Sequence, residues 1–167
     1  VNWVGVVRRP VLIVEDDHKL ARIVRAYLEG ADFRVVHAAT SREALESASR
    51  ELPLAVILDL GLPDASGEEL CLDLRELGNM PIIMVTAKSS EEERIAGFAL
   101  GADDYVVKPA SPRELVYRLK AVLKRYDGAD ASQRPLSFNG GQMVLDGIRH
   151  EIALHGQPIP LTATEFK

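Results

Sequence analysis

Cysteine occurs once in the 167 residues, as Cys71, so the chain can build neither an internal disulfide nor a thiolate metal cluster. Cys71 falls at an apolar position of a helical pattern and reads as a buried core thiol. Long hydrophobic runs are missing as well, since no stretch approaches the roughly 20 apolar residues of a membrane-spanning helix. The apolar start, Val1 to Val7, precedes its two arginines instead of following them and has no small-residue cleavage site, the wrong order for a secretory signal. Residues 1–8 therefore read as a tail. Net positive charge is absent: 20 Lys and Arg against 25 Asp and Glu leave a formal charge of −5, which excludes nucleic-acid binding driven by overall electrostatics. The four histidines, His18, His37, His150 and His155, have no metal-ligand spacing. There is no internal repeat. No glycine-rich turn follows the first apolar run, so the backbone cradle of a nucleotide-binding domain is not written there.

What is present is a composition ordinary for a soluble, cytoplasmic globular protein, with 47% hydrophobic and 27% charged residues. The length suits one complete domain plus a fragment. Five short apolar runs, Val11 to Val14, Phe33 to Val36, Leu54 to Leu58, Ile82 to Val85 and Tyr105 to Val107, alternate with segments of helical period. The first, third and fourth are continuously apolar, as expected of central parallel strands covered on both faces. Leu20, Ile23, Val24, Tyr27 and Leu28 mark one helical stripe; Leu70, Leu74 and Leu77 mark another. Thr40 with Glu43, Ser90 with Glu93, and Ser111 with Glu114 have capping-box spacing, and Pro112 suits a first helical position. Gly30, Gly78 and Gly101 fall where helices should stop. The expectation is an α/β domain, a doubly wound five-stranded parallel sheet, over residues 9–126. A linker rich in Gly, Ala, Asp, Ser and Pro follows over 127–135. Beyond it, Leu136 to Phe138, Met143 to Leu145, Glu151 to Leu154 and Ile159 to Leu161 read as an antiparallel β meander. Thr162 with Glu165 has the spacing of a further helix start.

In an open parallel sheet ligands bind at the carboxyl ends of the strands. Here those ends carry Glu15, Asp16 and Asp17 after the first run, Asp59 after the third, Thr86 after the fourth and Lys108 after the fifth. Carboxylates converging on one edge repel one another unless a hard cation or an ammonium intervenes. Oxygen donors without His or Cys favour Mg²⁺ or Mn²⁺ over zinc. A carboxylate beside such an ion, a lysine and a hydroxyl is a nucleophile suited to phosphoryl transfer. Asp59 is the best candidate, because it follows Leu54 to Leu58 directly and is held by a strand, whereas Asp64 and Asp73 fall in a loop and on a helix. Asp17 alone reads as a solvated helix cap.

The strings VLIVEDD, VILDLGLPDASG, IIMVTAK and GADDYVVKP, in this order across Arg9 to Arg125, resemble the signature segments of response-regulator receiver domains. The resemblance implies a flavodoxin-like receiver in which Asp59 accepts phosphoryl from a sensor histidine kinase. It implies Asp16 as direct Mg²⁺ ligand, Glu15 as its companion, the Gly61 carbonyl as a further ligand, Lys108 as phosphoryl partner, and Thr86 with Tyr105 as a switch pair. A cis peptide before Pro109 is also implied. The chain departs from the family at Ala110, where phenylalanine is usual. After the meander, LTATEF resembles the start of the winged-helix effector domain of the OmpR/PhoB class, here incomplete. Promoter DNA is accordingly expected as a partner of the full-length protein only.

The same resemblance implies a homodimer through the fourth helix, fifth strand and fifth helix. Arg94, Asp103, Asp104, Glu114, Arg118, Lys120 and Arg125 could pair there across a two-fold axis, with Arg94–Glu114 and Asp104–Arg118 as the expected pairs. Ala99 stands where the class commonly has an acid. Two rivals share features of this chemistry. A haloacid-dehalogenase-like phosphatase would need a second aspartate two positions after the nucleophile, where this chain has Gly61. A nucleotide-binding domain would want glycines where Glu15 and Asp16 stand. The expectation is a phosphoacceptor signalling protein with at most slow self-dephosphorylation.

Overall fold

The computed structural model describes residues 9–87 and 90–128, and the backbone of four further strands between residues 136 and 159. Five strands form the first sheet: β1 (Val11–Val14), β2 (Val35–Ala38), β3 (Ala55–Asp59), β4 (Ile82–Thr86) and β5 (Asp104–Val107). Their order is β2-β1-β3-β4-β5 and every pairing is parallel. Parallel neighbours need crossover connections, which α1 (His18–Gly30), α2 (Ser41–Arg50), α3 (Gly67–Leu77) and α4 (Glu91–Ala99) supply, and α5 (Pro112–Gly128) closes the series. β1, β3 and β4 are buried along their whole length, which is why their sequences are unbroken aliphatic runs. β2 starts two residues later than its apolar run suggests. The Phe33 amide donates to the Leu28 carbonyl at 3.1 Å, so Phe33 finishes the turn after α1 instead of pairing with β1.

Alternation along each strand divides the core into two layers. One face gathers Leu12, Val14, Val56, Leu58, Ile82 and Met84 with Leu70 and Leu74 of α3. The other gathers Val11, Ile13, Ile57, Ile83 and Val85 with Val24 and Leu28 of α1 and Leu119 of α5. The α1 stripe is narrower than its sequence suggests. Ala21, Val24 and Leu28 are buried, whereas Ile23 and Tyr27 are 48% and 51% exposed. They stand roughly 100° round the helix from Val24 and Leu28, beyond the edge of the buried stripe. Cys71 is buried and free.

Helix starts follow the capping chemistry in three different ways. Ser90 and Glu93 form the reciprocal box. At α2, Thr40 caps the Glu43 amide at 3.2 Å, but the Glu43 carboxylate reaches the Ala39 amide at 2.8 Å, one residue before the cap. At α5 the Ser111 carbonyl accepts the Leu115 amide at 3.1 Å, with Pro112 as the first helical residue. Past α4, Gly101 has φ of +98°, a conformation open to glycine and strained for other residues. α5 runs two residues into the segment expected to be a linker.

In the C-terminal portion, β6 (Leu136–Phe138), β7 (Met143–Asp146), β8 (Glu151–Leu154) and β9 (Gln157–Ile159) pair antiparallel in sequential order. β9 overlaps the last run expected from sequence only at Ile159. Thr162 and Glu165, and residues 129–135, lie outside the described residues. Among the described residues no helix is long and apolar enough to cross a membrane.

Candidate functional site at the carboxyl edge of the sheet

The carboxyl ends of β1, β3 and β5 bring three of the predicted charged groups into contact. Asp59, the last residue of β3, and Glu15, which follows β1, are both buried. Lys108, which follows β5, bridges them: its Nζ donates to Asp59 Oδ2 at 2.7 Å and to Glu15 Oε2 at 3.0 Å. Backbone amides hold the other carboxylate oxygens. The Gly61 N–H donates to Asp59 Oδ1 at 3.0 Å, and the Asp17 N–H donates to Glu15 Oε1 at 3.2 Å. The rigid strand ends and these short loops fix both acids before any ligand arrives.

The electrostatics are those of crowded like charges around one cation. Burial pushes the Glu15 carboxyl above its ordinary value, and the nearby Asp59 charge adds to that, while the Lys108 hydrogen bond offsets only part of it. Burial pulls the Lys108 ammonium down, but its hydrogen bonds to Asp59 and Glu15 outweigh that and hold it above the ordinary lysine value. Asp16 is exposed beside them, and one carboxylate oxygen from each of Glu15, Asp16 and Asp59 lies within 4.8 Å of the others. Three oxygen donors with no nitrogen or sulfur donor among them fit a hard divalent cation.

The neighbouring acids have other employment. Asp17 caps α1, accepting from the Lys19 and Leu20 amides at 2.9 and 3.1 Å, and these bonds hold its carboxyl below the usual range. Asp64 accepts from the Ser41 and Arg42 amides at the start of α2, at 2.9 and 3.2 Å. His37 Nε2 contacts the Glu15 carbonyl oxygen at 2.8 Å, a satisfied histidine beneath the acidic loop.

Residues 11–120 match the response regulator receiver domain family. The chain belongs to the response regulator receiver family. A probable transcriptional regulator, ycf27, of Porphyridium aerugineum is 38% identical over 162 residues, 95% of this chain and 68% of that protein. A CheY-like receiver domain from Methanospirillum hungatei superposes with a TM-score of 0.69 at 32% identity, covering 74% of this chain and 99% of that one. DrrB, a Thermotoga maritima OmpR/PhoB homologue, does so with a TM-score of 0.65 at 31% identity, covering 95% of this chain and 69% of its own. The chain is thus the receiver of a transcriptional response regulator of the OmpR/PhoB kind, and its five-stranded parallel sheet with five helices is the CheY-like fold.

Two further predicted receiver residues lie along β4 and β5. Thr86 ends β4 opposite Val107 and is buried, and its carbonyl accepts the Lys108 amide at 2.7 Å. Tyr105 is buried on the α3 face of the sheet, packed against α4. A Cβ added at Gly97 of α4 would stand 2.8 Å from two Tyr105 ring carbons, so glycine at this position makes room for the ring. The Lys108–Pro109 peptide is cis.

The predicted interface residues divide. Arg94 is exposed on α4, and Lys120 and Arg125 are exposed on α5. Asp104 and Glu114 both pair with Arg118 inside the one chain, at 3.1 and 2.8 Å, so the Asp104–Arg118 pair expected across a two-fold axis forms here within a monomer. Asp103, expected in the same reciprocal set, is held internally. Its carboxylate accepts from Arg75 at 2.7 Å, the Ile82 amide at 2.8 Å and the Tyr126 hydroxyl at 2.8 Å. Missed from sequence were Ile95 and Phe98, 61% and 50% exposed on α4. Their signal was an apolar pair flanking buried Gly97, outside its core-facing stripe.

Proposed function

We propose that this receiver takes a phosphoryl group onto Asp59 from a phosphohistidine of a sensor histidine kinase and thereby controls transcription through its full-length form. The observation that carries this reading is the Lys108 ammonium bonded to both buried carboxylates at the end of the sheet, with Asp16 alongside. In the reaction an Asp59 oxygen attacks phosphorus, the donor's P–N bond breaks, and the departing imidazole keeps the electron pair and takes up a proton. Lys108 is positioned to exchange its bond to Asp59 for one to a phosphoryl oxygen. Glu15, Asp16 and Asp59, with the Gly61 carbonyl, would hold Mg²⁺, or Mn²⁺, which supplies charge neutralisation for the incoming group. Thr86 supplies a hydroxyl at the same edge, and a change there reaches Tyr105 and α4 as a population shift. The resulting surface of α4, β5 and α5, with Arg94, Glu114, Lys120, Arg125 and the exposed Ile95 and Phe98, is the proposed homodimer face. Residues 136–167 are proposed to begin a winged-helix domain joined by the 127–135 linker, and promoter DNA is the full-length protein's partner.

Incubation with a small phosphodonor and Mg²⁺, followed by intact-mass analysis, tests the site. One phosphoryl per chain is expected, with no continuing turnover, and a chelator should prevent it. Asp59→Asn should abolish labelling, while Asp64→Asn should leave it intact. Retained labelling in Asp59→Asn with loss in Asp64→Asn would overturn the assignment.

A further inference from the structure

A half-open, mostly apolar chamber of about 380 Å³ adjoins the acidic edge, on the face of the sheet covered by α1 and α5. Its walls include Ile13 and Ile57 from the strands, Leu20 and Val24 from α1, Leu115 from α5, and Ala110 from the turn after Lys108. Glu15, Asp59 and Lys108 form its rim. We propose that this chamber is a binding site for a small neutral aromatic molecule of one or two rings.

Ligand pockets start at about 300 Å³, and a closed apolar cavity of about 150 Å³ has room for benzene. This chamber exceeds the second figure and reaches the first, so a single or fused ring fits. Ala110 is one of the lining residues; it packs against the apolar layer of this face, and its side chain is a single methyl group.

Chemistry then limits the occupant. The walls named above carry no hydrogen-bonding side chain, so ordered water has few partners there. An anionic ligand would meet the Glu15 and Asp59 carboxylates at the rim. A cationic ligand would have to displace Lys108, whose ammonium is already bonded to both at 2.7 and 3.0 Å. A neutral ring avoids both conflicts and gains by burying apolar surface. The inference does not depend on the phosphoryl reading, because the walls would bind the ring whether or not Asp59 is the acceptor.

The test is a titration of indole into the full chain, followed by methyl resonances. Shifts are expected at Ile13, Leu20, Val24, Ile57 and Leu115, and indole-3-carboxylate should bind at least tenfold more weakly than indole. Ala110→Phe should weaken indole binding at least tenfold; should that variant fail to fold, Ala110→Leu carries the same expectation. Absence of binding, shifts confined to the exposed Ile23 and Ile95, or unchanged affinity in a folded Ala110 variant would each overturn the proposal.

Discussion

The two faces of the one parallel sheet are packed to different degrees, and the difference separates the two kinds of change this receiver can undergo. On the α3 and α4 side, two helical glycines leave no room for a methyl group. A Cβ at Gly67 would stand 2.5 Å from the Leu60 Cα, and one at Gly97 would meet the Tyr105 ring at 2.8 Å. On the α1 and α5 side, a half-open chamber of about 380 Å³ adjoins the Lys108–Pro109 turn. Asp59 and Glu15 sit at the edge common to both. A close-packed layer passes displacement on, because its side chains have nowhere else to go. A loose layer absorbs displacement or admits a ligand.

Adding carbon to each face in turn is the direct way to break this comparison. Gly67→Ala should cost about 3 kcal/mol, because the obstacle is the backbone of Leu60 and α3 would have to move away from β3. Urea unfolding measures it, and an unchanged midpoint would mean that the α3 face is looser than its distances indicate. Gly97→Ala should cost about 2 kcal/mol and, in addition, drive the Tyr105 ring outward. Its tyrosine proton resonances should move to solvent-exposed positions, and activation by phosphorylation should weaken. The opposite sign is expected on the other face. Ala110→Leu should raise stability by about 1 kcal/mol, since the added carbons enter existing apolar space. A loss of stability there would erase the contrast.

The smallest effect concerns the far end of the sheet, where Arg75, Asp103 and Tyr126 join α3, β5 and α5. Burial, then the hydrogen bond to Asp103 and its negative charge, push the Tyr126 hydroxyl from about 10 up to about 12. Because the folded value is the raised one, Tyr126 contributes stability that is complete below the ordinary tyrosine range and is lost as pH rises through about 12. A spectrophotometric titration should therefore show a late tyrosinate step near pH 12, missing in Tyr126→Phe.

Much of the site was legible before any coordinates, for a physical reason that holds residue by residue. Glu15, Asp59 and Lys108 each directly follow an apolar run, with Asp16 one residue further on, and a parallel sheet must bring the ends of such runs to one edge. Asp17 was legible as a cap because an acid three residues before the first position of a helical stripe suits the N-cap. Ile23 and Tyr27 misled because a helical stripe has no visible width in sequence; what it packs against sets that width. The internal contacts of Asp103 were not legible, for a related reason. Its neighbour Asp104 does reach α5, but only the register of β4 against β5 turns Asp103 back onto the Ile82 amide and Arg75.

The succession of strands and helices along the chain, the polar carboxyl edge and the place of Asp59 at a strand end follow from the sequence alone, because hydrophobic period and strand-end chemistry are local properties of the chain. Tertiary structure decided the rest. It determined that Lys108 lies between Asp59 and Glu15, residues separated from it by 49 and 93 positions. It also determined that Gly97 admits the Tyr105 ring, and that Ala110 lines a half-open chamber with residues of α1 and α5. Each of these depends on distances between elements remote in sequence, and those distances exist only once the helices have packed on the two faces of the sheet.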